Sequence, residues 1–181
     1  MTARHPTLPR IWLITDARPA ASLDRAIAHL PRGSGVIFRH YHLSPPLRAA
    51  RLAQVRRQCR RYEHRLEISG QGYGPPTPHR RLATAHSLRE IGRANRWGAN
   101  AVLLSPVFPT RSHPGAPSLG RVRLLLLASR ARMPVIALGG MTAHRFTGLD
   151  IYGWAAIDGL SAAPRKSPSA RFTLAPRDTR C

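Results

Sequence analysis

The sequence predicts an α/β fold built on a parallel sheet with helices on both faces. Two observations carry this: short apolar runs alternate with helical patterns from residue 10 to residue 158, and the strand candidates are near-continuously apolar rather than alternating. With 181 residues the chain has room for one domain with a real core. It is short for a complete eight-stranded α/β barrel, which runs from about 200 residues upward.

The first strand candidate is 10–15, RIWLIT, and the helix after it is 22–30, SLDRAIAHL, with Ser22 as the expected N-cap and Asp24 in the first turn. A second strand, GSGVIFRHYHL (33–43), opens on glycine, and a long helix, 45–65, follows. In that helix Leu52, Val55, Cys59 and Tyr62 form one stripe, while Arg48, Arg51, Arg57, Arg60 and Arg61 fall largely off it. Further strands are expected at 65–69 (RLEIS) and 81–85 (RLATA). The helix 86–98 carries a capping box, Ser87 to Glu90, and stops at Gly98. Then come the apolar strand 100–105 (NAVLLS), a helix over 119–132, the strand 134–138 (PVIAL), a turn GGMT opening a short helix at Thr142, and a last strand 152–157 (YGWAAI). That makes seven strands, one short of a closed barrel.

The deficit falls between Ser69 and Arg81, where only GQGYGPPTPHR intervenes, too little for a parallel crossover with its own helix. The fold is therefore expected to be shortened around its third and fourth units. An unpaired edge follows near RLEIS and RLATA, to be covered by the loop GQGYG or by a second copy in a homodimer. Residues 1–158 form the expected domain, and 159–181, rich in Pro, Ser and Arg, read as a basic, disordered tail.

The formal net charge is +21, which favours anionic partners. Of the 29 basic residues only Lys166 is a lysine, so the excess is almost purely arginine, as a biased codon composition also produces. No basic-aromatic interleaving marks a nucleic-acid module, so nucleic-acid binding is the least favoured class. No apolar run is long enough to span a bilayer and no leader pattern opens the chain, so a cytoplasmic protein without membrane attachment is expected. Cys59 and Cys181 have neither disulfide nor metal spacing, and Cys59 reads as core.

In parallel α/β folds, ligands bind at the carboxyl ends of the strands. Three such ends carry groups suited to phosphate: Arg39 after VIF, Thr110 and Ser112 in SPVFPTRSHPG after NAVLL, and Gly139 and Gly140 after PVIAL. His40 and His42 share a strand face but lack a third ligand, and His86 beside the capping box reads as hydrogen-bonded rather than reactive.

The stretch TAHSLREIGRANRWGANAVLLSPVFPTRSHPGAPSLG followed by PVIALGGMT resembles the thiamine phosphate synthase and thiazole tautomerase (TenI) family, in order over 11–158 and most densely over 84–142. The resemblance implies a TIM (β/α) barrel transferase of thiamine biosynthesis. It would couple an aminopyrimidine diphosphate to a thiazole phosphate, releasing pyrophosphate, with magnesium as cofactor. It further implies that Arg39, Thr84, Thr110 and Ser112 hold the diphosphate, and that Gly139, Gly140 and the backbone near Ile157 hold the thiazole phosphate.

Against the family pattern, Ile37 and Tyr41 flank Arg39 where a glutamine and a lysine are usual, and His113 stands in place of a lysine. Asp158 replaces a phosphate-binding serine, Pro106 replaces the tautomerase histidine, and the usual magnesium-binding aspartates have no counterpart, leaving the metal ligands unknown. A family member that has lost catalysis and binds a phosphorylated thiamine intermediate in a regulatory role is the alternative.

Overall fold

A computed structural model describes residues 8–17, 19–70, 73–74, 81–110, 115 and 117–160. The expected tail from 161 onward, and with it Ser112 and His113, lies outside the described residues. The strands are β1 (Ile11–Ile14), β2 (Gly35–Phe38), β3 (Arg65–Ile68), β4 (Tyr73–Gly74), β5 (Leu82–Ala85), β6 (Ala101–Leu104), β7 (Val135–Leu138) and β8 (Gly153–Ala156). They form one sheet in the order β3-β2-β1-β8-β7-β6-β5-β4, parallel throughout. This is the strand order of a (β/α) barrel, with β1 meeting β8 and a seam left between β3 and β4.

Among the described residues there are thus eight strands rather than the expected seven. The extra one, Tyr73–Gly74, spans two residues inside GQGYG and pairs with Leu82 and Ala83. No hydrophobic periodicity can reveal a strand that short. The expected shortening at the third and fourth units stands: β3 and β4 are the two edges of the sheet.

The barrel interior is filled by Trp12, Ile14, Ile37, Leu82, Leu103 and Ile136, all fully buried, with smaller Ala101 and Ala155 between them. Trp12 is the largest, and its indole N–H donates to Pro9 O at 2.7 Å. Gly35, one register step below Leu13 on the neighbouring strand, is glycine because of Trp12: a Cβ there would lie 2.1–2.4 Å from the indole ring. The opposite strand faces meet the helices in two further clusters. One joins Leu13, Val36 and Phe38 to α1 (Ala20–His29) and α2 (Pro45–Arg61). The other joins Val102, Leu104 and Ala137 to α3 (Leu88–Arg96) and α4 (Gly120–Ala128).

Three helix expectations change. α1 begins at Ala20 behind Pro19, so Ser22 sits inside the first turn and does not cap it; proline's fixed φ favours such a start. α4 ends at Ala128 rather than running to 132, because Asn95 at the end of α3 takes hold of the following turn, donating to Arg130 O and accepting from Arg132 N–H. In α2 the buried residues are Arg51, Val55 and Cys59, with Leu52 and Tyr62 half-buried beside them. Arg51, placed off the stripe by its polarity, is instead buried: it donates to Asp24 Oδ1 at 2.7 Å and to Ala20 O at 3.2 Å, tying α2 to α1. Burial pushes the Cys59 thiol up to about 12, consistent with a core role.

The α3 capping box forms, with a local variation. Ser87 Oγ accepts from Glu90 N–H, while the Glu90 carboxylate accepts from His86 N–H at 2.7 Å and from Ser87 Oγ. Among the described residues no helix is long and apolar enough to cross a membrane.

Gly35→Ala is expected to destabilise the fold by about 1–3 kcal/mol through overpacking, read as a lower urea midpoint at unchanged m. Pairing it with Trp12→Phe should recover part of the loss; no recovery would mean that contact with Trp12 is not the cause.

Candidate functional site

The β6–α4 loop does not leave the sheet at Leu104. Val107 N–H donates to Leu138 O (2.9 Å) and Phe108 N–H to Gly139 O (3.1 Å), so the loop continues alongside the end of β7. Its far end returns onto itself, Leu119 N–H to Pro106 O and Gly120 N–H to Val107 O, both 2.9 Å. Two chains this close leave no room for side chains. A Cβ on Gly139 would sit 2.8 Å from Pro106 Cα, one on Gly140 2.6 Å from Pro109 O, and both glycines have positive φ, +95° and +60°.

Beyond them Thr142 caps the one-turn helix α5 (Ala143–Phe146), accepting from Arg145 N–H at 3.2 Å. The Arg145 guanidinium folds back, donating to Gly140 O and lying 5.0 Å over the Phe108 ring. After β8, a 3-10 turn over Asp158–Leu160 closes the third side. Together these segments enclose a cavity of about 330 Å³ lined by Thr110, Gly139, Gly140, Arg145, Ile157 and Asp158 among others.

Four residues picked from the sequence, Thr110, Gly139, Gly140 and Ile157, therefore meet in one cavity at the carboxyl end of the barrel. Arg39 and Thr84 do not line it. Thr84 lies on β5 two residues beyond Leu82 and so shares its interior face, near the mouth. Arg39 is the first residue past β2, half-buried, with its guanidinium 5.9 Å from the Tyr41 ring, over which Arg48 also lies at 5.6 Å. The site is thus a backbone-lined cavity at β6–β8 flanked by separate cationic and hydroxyl groups on β2 and β5.

Thr15, which sequence reasoning passed over, and His40 together hold the β2 end in place. Thr15 Oγ1 accepts from Arg39 N–H at 2.9 Å and lies 2.8 Å from His40 Nδ1, whose ring stacks on Phe38 at 4.7 Å. His40 has left the strand, at φ +26°, so it meets His42, ring centroids 5.3 Å apart, across a turn rather than along a strand face. Burial, then the charges of Arg51 and His42, lower the His40 pKa from 6.5 to about 4, keeping the ring neutral at pH 7. The signal available in the sequence was a threonine ending an apolar strand beside a strand that ends in Arg-His. Arg145, three residues after the cap Thr142, was also missed, one arginine among many. His86 is hydrogen-bonded, as expected, its Nδ1 lying 2.7 Å from Ser105 O.

Among the described residues no three His, Cys, Asp or Glu side chains gather as a metal site. Asp16 follows β1, Asp158 follows β8, and Glu67 on β3 accepts from Arg65 Nε at 2.8 Å. These dispersed carboxylates do not fit a built magnesium centre, which needs oxygen ligands converging on near-octahedral geometry.

The thiamine monophosphate synthase family profile matches residues 82–160. A curated relative, putative thiamine-phosphate synthase 2 of Aquifex aeolicus (strain VF5), is 42% identical over 59 residues. That match spans 33% of this chain and 32% of the relative, so the chain aligns with about a third of that protein's length. Among solved structures, thiamine phosphate pyrophosphorylase from Pyrococcus furiosus superposes with a TM-score of 0.66 at 22% identity, covering 86% of this chain and 88% of that one. A designed cube-shaped, highly porous protein cage built by fusing symmetric oligomeric domains superposes at 0.56 and 13% identity, covering 84% of this chain and 64% of that one. At these identities the superpositions speak for the fold.

The lowered pKa of His40 sets the sign of a pH effect. The unfolded chain takes up the proton first, so the stabilisation is complete above pH about 6.5 and is lost as pH falls toward about 4. His64, lowered mainly by burial, adds to it in the same direction. Thermal melts should therefore fall between pH 7 and pH 5, and His40→Asn, which tolerates the positive φ, should flatten that fall. An unchanged slope in the variant would remove His40 from the account.

Proposed function

We propose that this chain, whose residues 82–160 match the thiamine monophosphate synthase family, joins an aminopyrimidine diphosphate to a thiazole phosphate. The observation that carries the reading is the cavity in which Gly139, Gly140, Thr110 and Ile157 converge at the carboxyl end of a (β/α) barrel. A phosphate group fits such a place because backbone N–H groups at strand-to-helix turns supply fixed donors that need no reorganisation.

The bond changes are simple. The C–O bond from the aminopyrimidine methylene to diphosphate breaks, both electrons leave with the diphosphate, and the cation left behind is stabilised by its ring. The thiazole nitrogen then donates its lone pair to that carbon. Catalysis in such a reaction consists of holding the leaving anion and aiming the nitrogen. In this chain Arg39 and the hydroxyls of Thr84, Thr110 and Ser112 take the diphosphate. Thr15 fixes the backbone of Arg39. The backbone around Gly139, Gly140 and Ile157 takes the thiazole phosphate. Magnesium would offset diphosphate charge where present; the donor set above does not fit a built centre, and no step is drawn through it.

Asp158 on the wall of the cavity favours a second reading, a family member that binds a phosphorylated intermediate without turning it over. A carboxylate about 4 Å from a phosphate costs on the order of 4 kcal/mol per charge pair at an effective dielectric near 20. Asp158→Ser is accordingly expected to tighten thiazole phosphate binding by about tenfold or more. Equal affinity in the two proteins would show that the carboxylate does not face the phosphate.

A single-turnover assay with both substrates decides between the readings. Thiamine phosphate is expected from the native chain, with Arg39→Ala slower by about 100-fold, the cost of removing one preorganised donor. No product, with both ligands still bound in titration, would establish the second reading; no binding of either would overturn both.

A further inference from the structure

We propose that the amino end of the barrel, opposite the loops described above, holds a second ligand site for a small molecule carrying several phosphate charges. A cavity of about 720 Å³ opens there, more than twice the volume of the one at the carboxyl end and within the usual range for small-molecule sites. Its wall includes Arg65, Arg81 and Arg132, with Asn95, Asn100 and Tyr152 between them, and no acidic residue.

The three arginines come from separate places in the sequence, and each is fixed at its backbone. Arg65 N–H donates to Ser34 O, Arg81 O accepts from Asn100 N–H, both at 2.9 Å, and Arg132 N–H donates to Asn95 Oδ1 at 2.8 Å. Glu67 engages Arg65 through Nε only, and it lies on the strand interior rather than on the cavity wall. Among the described residues the guanidinium groups of Arg81 and Arg132 have no hydrogen-bond or ion-pair partner. The site is thus a concave surface with net positive charge and two uncommitted planar forks, the geometry that suits phosphate oxygens.

None of the described acidic residues supplies an anion to this cavity. Of the eight acidic residues in the sequence, only Asp178 falls outside the described residues, and none of the other seven lines this cavity. Among the described residues β4 begins at Tyr73, paired with Leu82, and Arg65 on β3 and Arg81 before β5 stand on either side of the seam.

The test is a titration of the full chain with inorganic tripolyphosphate at about 0.15 M salt, where loosely held surface charge is screened. Saturable binding is expected to persist in Arg39→Ala, which weakens the carboxyl-end site. It should fall by about tenfold or more in Arg81→Ala/Arg132→Ala, as loss of charge-assisted hydrogen bonds predicts. Arg81→Lys/Arg132→Lys, which keeps charge and stem while losing the fork, should lie between. The exposed pair Arg56→Ala/Arg57→Ala on α2 serves as control for general basicity. Equal weakening in the control, native-like binding in the Arg81/Arg132 double variant, or loss of all saturable binding in Arg39→Ala would overturn the proposal.

Discussion

The interior of a barrel must be filled, and in this chain the filling of the lower barrel centres on one contact, the Trp12 indole over the bare Cα of Gly35. A barrel whose fourth strand is two residues long has few inward side chains on that side, and one large ring on β1 takes up space that several smaller ones would otherwise share. Upon that layer sit Ile14, Ile37, Leu103 and Ile136, and upon those the mouth where Thr84 and Ile157 emerge. The placement of the site therefore inherits its precision from a contact at the opposite end of the molecule.

At the mouth the design principle changes from side-chain packing to backbone proximity. The β6 loop and the β7 end approach so closely that glycine is obligatory at 139 and 140, and the same proximity brings main chain, beside the side chains of Thr110, Arg145 and Asp158, to the cavity wall. A wall of this kind tolerates wide drift in surrounding side chains. That explains how a chain with so much arginine and so few carboxylates keeps the shape of the site while several polar positions around it differ from the family pattern.

Most of this architecture could be read from the sequence because its signals are local. The apolar strands, the Ser87–Glu90 box and the GG turn each report on a few adjacent residues, and each appears in the structure. Thr110, Gly139, Gly140 and Ile157, named from the family resemblance, line one cavity in the structure. What escaped was nonlocal. Arg51 looks like a solvent residue until Asp24, on another helix, is brought to it. Thr15 and His40 acquire meaning only when β1 and β2 lie side by side. β4 exists only because β5 offers it a ladder. The opposite-end cavity is invisible in sequence, since its arginines at 65, 81 and 132 lie on separate elements and resemble every other arginine in the chain.

Among the described residues the seam between β3 and β4 turns a ring into an arc with two ends, and an arc is stiffest at its middle. Strands near an end can open by releasing one ladder, whereas β1, β8 and β7 are held on both sides by neighbours that are themselves held. Backbone amides of β8 and β7 should therefore exchange with solvent only on global unfolding, and those of β3 through local opening. The cavity at the ends of β6, β7 and β8 sits towards the rigid middle, while Arg39 and Thr84 ride on strands one step from the free ends. The molecule thus pairs a fixed cradle with two more compliant arms, a division of mechanical character that a closed barrel does not have.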